Sequence, residues 1–171
     1  MTEPTPSVPG PVARQPAGSG SPAYLAGLLL QGRAVVVVGG GRVAARRVPT
    51  LVAAGALVTL IAPRVHASLA ALDAAGAIRW EQRVYAPNDL DGAWYVLALT
   101  DSADANAAVA ADAEARHTFC VRADRASGGS AWTPATGDAT GVTVAAIADH
   151  DPLRARRIRD RLVEVVRDES L

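Results

Sequence analysis

The chain has 171 residues, half of them apolar, which is enough for one domain or a domain with a small appendage, with a packed core and no covalent staples. Lys plus Arg number 17 and Asp plus Glu number 17, so the formal net charge is zero and supplies no general attraction to nucleic acid or an anionic membrane. A single cysteine, Cys120, excludes an intrachain disulfide and a cysteine-built metal cluster.

Residues 1–22 are rich in Pro, Gly and Ser and are expected to form a disordered tail, because so little apolar surface cannot offset the entropy of ordering. They lack the basic start and apolar stretch of a secretory signal. No run in the chain approaches the ~18 apolar residues of a membrane span. A cytoplasmic protein without a membrane partner is the expectation.

From Ala34 onward strands and helices alternate. AVVVV, with no polar alternation, suits a strand covered on both faces. Residues 42–54 have helical spacing, with Pro49 as a point of irregularity and Gly55 as the stop. LVTLIA at 57–62 reads as a second buried strand, stopped by Pro63, and 66–75 as a second helix ended by Gly76. AIRWEQRVY at 77–85 reads as a third strand, more polar and nearer an edge. WYVLALT at 94–100 reads as a fourth strand, and Ser102 can cap a helix over 104–116. TFCVRAD at 118–124 reads as a fifth. This alternation predicts an α/β fold with a doubly wound parallel sheet. Past it, SAWTPATGDATGVTVAAIA reads as a hairpin around TGDATG, and Pro152 opens a basic final helix. An apolar hairpin without local cover needs a partner, most simply a second copy of the chain.

Gly39, Gly40, Gly41 and Ala44 fit G-x-G-x-x-G/A between a strand and a helix. The first glycine permits the tight turn, the second lets the backbone approach a pyrophosphate, and the small Ala44 lets helix and strand pack closely. The free N–H groups and dipole of the helix start then favour phosphate. This predicts dinucleotide binding. The acid that holds a ribose, due about 20 residues on at the end of the second strand, is absent from Leu60-Ile61-Ala62-Pro63-Arg64. Arg64 suits a 2′-phosphate or is a solvated residue after a strand, so the spacing leaves NAD and NADP open and favours NADP.

Three stretches carry a resemblance: VVVVGGGRVAARRVPTLVAAGALVTLIAP, DLDGAWYVLALTDSADAN and FCVRADRASGGSAWTPA. Together they resemble the precorrin-2 dehydrogenase module of siroheme synthase, in its actinobacterial form, over nearly all of the chain after the tail. The resemblance implies a Rossmann domain at 23–124 followed by a dimerisation segment at 125–171 in an intertwined homodimer. It implies oxidation of precorrin-2 to sirohydrochlorin with NAD, and leaves insertion of Fe2+ and association with a separate uroporphyrinogen methyltransferase open. It implies cofactor contacts at Gly39, Gly40, Gly41, Arg42, Val43, Pro63 and Arg64, with NAD rather than NADP.

Thr100 and Asp101 end the fourth strand and Asp124 the fifth, on the rim where ligands of parallel sheets bind. Asp124 matches the family's essential aspartate, as base during oxidation or acceptor of pyrrole protons as iron enters; otherwise it is a loop or turn residue before Ser127-Gly128-Gly129. Asp101 shapes the cofactor pocket or caps the following helix, and Asn106 matches a recurrent family Asn that ties the turn to the sheet. His66, His117 and His150 have no ligand spacing, so no preformed metal site is expected. His117 reads as structural. In ADHDP, His150 and Asp151 stand where many relatives carry Ser- and Gly-rich chain near the substrate. Arg154, Arg156, Arg157, Arg159 and Arg161 form either a solvated face, offset by Asp160 and Glu164, or a set of forks for the carboxylates of the tetrapyrrole. Ending at Leu171, the chain is expected to lack the helical module and methyltransferase domain of longer relatives, which weighs more on iron insertion than on dehydrogenation. Two rivals are a non-catalytic NAD(H)-sensing module that regulates a partner and an inactive dimerisation module.

Overall fold

The structure, a computed structural model, describes residues 22–149 and 151–168, so the expected tail lies outside it except for its last residue. The chain divides into two compact units, Leu25–Thr133 and a second from Pro134 onward.

The first unit runs β1 (Ala34–Val38), α1 (Arg42–Ala53), β2 (Leu57–Ile61), α2 (Ala67–Ala74), β3 (Arg79–Glu81), β4 (Tyr95–Ala98), α3 (Ala103–Ala115) and β5 (Phe119–Arg122). Its five strands are all parallel in the order β3-β2-β1-β4-β5. The valines of β1 show why such a run needs no polar alternation. Val35 and Val37 pack with Val48 and Leu51 of α1 and Leu69 of α2, whereas Val36 and Val38 pack with Val109 and Ala113 of α3 on the opposite face. Helices therefore cover both faces, and the sheet is doubly wound.

The helix ends follow local chemistry. Helix α1 closes with Gly55 at φ +75, its N–H donating to Val52 O and that of Ala56 to Leu51 O, the paired bonds of a Schellman cap. Helix α1 continues through Pro49, which lies at an exposed position where the loss of one backbone donor is least costly. Strand β3 is three residues long and lies at the sheet edge. The polar residues beyond it leave the sheet, with Arg83 N–H already turned back on Glu81 O at 2.8 Å. The segment after β5 stays with the first unit: Cys120 N–H donates to Ser130 Oγ at 3.0 Å and Ala131 N–H to Cys120 O at 3.1 Å.

The second unit is an antiparallel hairpin, β6 (Ala135–Ala139) and β7 (Val142–Ala146), followed by α4 (Pro152–Asp168). The loop is only Thr140-Gly141, both at positive φ (47° and 80°), the signature of a type I′ hairpin turn. Thr136, Gly137 and Asp138, read from sequence as turn, belong to β6. A Cβ on Gly137 would lie 2.7 Å from Arg159 Cδ and 2.8 Å from Val163 Cγ2, so this glycine lets α4 pack on the strand rather than bend it. Among the described residues, no helix is long and apolar enough to cross a membrane.

Candidate active site

The glycine turn lies between β1 and α1, where strand order reverses about β1. Gly39 has φ +106, and a Cβ there would lie 2.6 Å from both Leu99 C and Leu99 O and 2.8 Å from Thr100 N. A Cβ on Gly40 would lie 2.5 Å from Arg64 O, while the Gly40 carbonyl accepts from His66 N–H at 2.7 Å. These two glycines bring the backbone of the turn against the ends of β4 and β2. Gly41 differs, because a Cβ there would meet nothing within 4 Å. Gly41 caps α1 without any side-chain bond, and no acidic residue occupies the helix's first turn. Ala44 is fully buried beneath. The result is an open cradle of helix-start N–H groups with no acidic residue in the first turn of α1, which fits a dinucleotide pyrophosphate.

The neighbouring rim is built around Asn106 on α3, which has no exposed surface. Its Oδ1 accepts from Thr100 N–H at 3.0 Å and lies 2.8 Å from the Thr100 hydroxyl. Its Nδ2 donates to Thr100 O and to Asp124 Oδ1, both at 2.9 Å. The Asp124 carboxylate also receives Arg122 Nε at 3.2 Å and Arg122 Nη2 at 2.6 Å. The glycine turn abuts Thr100, Thr100 is tied to Asn106, and Asn106 is tied to Asp124. Asn106→Ala leaves buried partners unsatisfied at Thr100, at a cost of about 1–3 kcal/mol; a fall in Tm with retained helical circular dichroism is the expected result.

The Arg122 guanidinium, ahead of Asn106, holds Asp124 below its ordinary value against the opposing pull of partial burial. The side chain keeps 26% exposure, so an ionised carboxylate faces outward at the carboxyl end of β5. Sequence reasoning found Asp124 but not Arg122; the available signal was Arg-x-Asp, an i, i+2 spacing that puts both side chains on one side of an extended chain.

The other expected residues separate. Pro63 and Arg64 are exposed in the turn after β2, where the Arg64 carbonyl faces Gly40. Arg42 is exposed and Val43 half-buried at the start of α1. Asp101 is exposed, and the cap of α3 is Ser102, whose Oγ accepts from Ala105 N–H at 3.2 Å. The capping role weighed for Asp101 is therefore corrected: the residue one step nearer the helix reaches the first-turn amides. His66 caps α2 through Nδ1, which accepts from Ser68 N–H at 3.3 Å. His117 sits at φ +52 just beyond α3, where His117 and Thr118 N–H close the helix on Glu114 O and Ala113 O. Burial pushes the Cys120 thiol up to about 11, so it stays protonated and is not a nucleophile.

In the second unit, Asp151 Oδ1 accepts from Arg154 N–H at 2.9 Å, a cap at the start of α4 that the sequence did not suggest. His150 lies outside the described residues. Arg159 pairs with Asp160 at 2.7 Å and donates to Thr136 O, whereas Arg154, Arg156, Arg157 and Arg161 are exposed. Among the described residues, no group of three or more His, Cys, Asp or Glu is placed to hold a metal ion.

The parallel sheet, the open glycine cradle and the acidic rim beside it define a doubly wound dinucleotide-binding protein. The family described as "Putative NAD(P)-binding" matches residues 27–135. The siroheme synthase of Methylobacillus flagellatus is 47% identical over 88 residues, 52% of this chain and 19% of that protein. The siroheme synthase of Chromobacterium violaceum is 39% identical over 140 residues, 81% of this chain and 30% of that protein. The chain thus spans less than a third of the length of these relatives. A solved structure described as "SirC, precorrin-2 dehydrogenase" superposes with a TM-score of 0.73 at 28% identity, covering 84% of this chain and 71% of that one. The chain belongs to the family of putative NAD(P)-binding proteins whose model it matches over residues 27–135.

Proposed function

We propose that this chain oxidises precorrin-2 to sirohydrochlorin with NAD+ on the way to siroheme. The observation that carries the reading is the continuous contact from Gly39 through Thr100 and Asn106 to Asp124, which ties an ionised carboxylate to the dinucleotide cradle. Bound NAD+ supplies the hydride acceptor, so the substrate loses a hydride and a proton and the products are sirohydrochlorin, NADH and H+. The chain's residues do the remaining work. The backbone of Gly39, Gly40, Gly41, Arg42 and Val43 would hold the pyrophosphate, and Pro63, Arg64, Thr100 and Asp101 would line the rest of the cofactor site. Asp124 takes the proton. The exposed arginines of α4 carry guanidinium forks well shaped for carboxylates such as those of precorrin-2. Insertion of Fe2+ draws on the same carboxylate to collect pyrrole protons, and adding Fe2+ and sirohydrochlorin to the protein tests that step separately.

The same reading includes a homodimer through the second unit. Helix α4 leaves Ile158, Leu162 and Val165 exposed at i, i+4 and i+7, beside an exposed Val142 on β7. This apolar face on so small a unit calls for cover. Ile158→Glu with Leu162→Glu is expected to convert a dimer to a monomer in sedimentation equilibrium with unchanged circular dichroism. A wild type that is monomeric at micromolar concentration contradicts it.

The engagement of Asp124 by Arg122 and Asn106 favours one other reading, a non-catalytic NAD(H)-sensing module that regulates a partner. Such a module binds NAD(H), never turns over precorrin-2, and tolerates loss of Asp124. Calorimetric titration with NAD+ and anaerobic turnover, run on the same preparation, separate the two.

A further inference from the structure

We infer that Arg122 is a positioning residue for Asp124: its fork fixes the orientation of the carboxylate that accepts the proton. The inference rests on the proposed role of Asp124 and adds a residue and a property to it. The guanidinium is itself held in place. Its side chain is only 10% exposed, Nε and Nη2 take one carboxylate oxygen each, and Nη2 also donates to Ala103 O at 3.2 Å. The glycine pair after β5 closes over it: a Cβ on Gly128 would lie 3.0 Å from Arg122 Nη1 and 3.2 Å from Cδ, and a Cβ on Gly129 would lie 3.1 Å from Arg122 N. The turn Ser127-Gly128-Gly129 thus makes room for an arginine that spans the gap between β5 and the start of α3.

A two-point fork of this kind fixes the plane of the carboxylate, which a single ammonium cannot do. Asn106 adds a third point from α3. Arg122 is the charged group in contact with Asp124; Asn106 from α3, and the Thr100 it holds at the end of β4, are uncharged. Asp124 and Arg122 stabilise each other's charged forms. The arrangement trades intrinsic base strength for a base that is always ionised and always aimed, a trade that favours catalysis when orientation limits the rate.

The test is a pair of variants with an internal control. Arg122→Gln removes charge and fork. It is expected to lower kcat by at least about tenfold, to move the acid limb of kcat/KM to higher pH, and to leave the KM for NAD+ unchanged. The sign follows from the geometry: without the guanidinium the carboxylate loses its main source of stabilisation as an anion, so it protonates at higher pH. Arg122→Lys keeps the charge but not the fork, so kcat falls while the acid limb stays near that of wild type. If Arg122→Gln fails to fold, Arg122→Lys carries the test alone. Wild-type kcat and pH profile in the variant that folds overturn the inference. Asp124→Asn is measured beside them: wild-type turnover in that variant overturns the role of Asp124 itself, whereas a dead Asp124→Asn with a silent Arg122→Gln overturns only the role of Arg122.

Discussion

Asp124→Asn is expected to lower turnover of precorrin-2 by about 10²- to 10⁴-fold, the usual span for loss of a general base, without weakening NAD+ binding. The substitution is nearly isosteric. Its amide oxygen still accepts from Asn106 Nδ2 or from Arg122, so the rim retains its outline while losing the proton acceptor. Gly39 of the cradle abuts Thr100, which Asn106 ties to Asp124, so the substitution touches no residue of the glycine turn itself. Stopped-flow absorbance and NAD+ titration on one preparation separate the two effects. Coincident loss of binding and turnover would assign Asp124 to the integrity of the pocket, and turnover within a few-fold of wild type would remove it from the chemistry.

The second large effect falls on the glycine turn and differs among its three members. Gly39→Ala must adopt φ +106 and place a Cβ against the Leu99–Thr100 peptide, both backbone features that cannot rotate away. Gly40→Ala meets the Arg64 carbonyl and Val65. Each is expected to cost about 2–4 kcal/mol, a fall in Tm on the order of 5–15 °C, together with loss of NAD+ binding. Among the described residues, Gly41→Ala meets no atom within 4 Å. Its Tm is expected to match wild type while NAD+ affinity falls at least about tenfold, because the only thing its methyl can obstruct is the approaching pyrophosphate. Unchanged affinity in Gly41→Ala would show that the pyrophosphate does not rest there.

The features legible in the sequence were those set locally. Val35 to Val38 announce a strand buried on both faces because neither parity of side chain could be left in water. Gly39, Gly41 and Ala44 announce the cradle because the motif assigns them the tight turn, room for a pyrophosphate and close packing of helix on strand. Ser102 announces its helix by a hydroxyl in reach of a first-turn amide. What escaped depended on partners distant in the chain. The hairpin turn is narrower than the sequence suggests because Gly137 looks like a turn residue, and its reason for being glycine is the approach of Arg159 and Val163, more than twenty positions later. The third strand was read too long because nothing local marks where Glu81 loses its strand partner. Arg122 was read as an ordinary strand residue, since its significance comes from the loop that folds over it and the aspartate it clamps. The cap that Asp151 gives to α4 depends on the backbone amide of Arg154, which the residue type alone does not reveal.

On this reading the cradle and the carboxylate beside it act as one catalytic site. The measurement that tests it most directly is anaerobic incubation of the protein with precorrin-2 and NAD+, following sirohydrochlorin and NADH by absorbance. The account predicts that the two products appear together in equal amounts, and only when protein, substrate and NAD+ are all present. Saturable NAD+ binding with no NADH formed above the protein-free control would contradict it and leave the chain as a dinucleotide sensor.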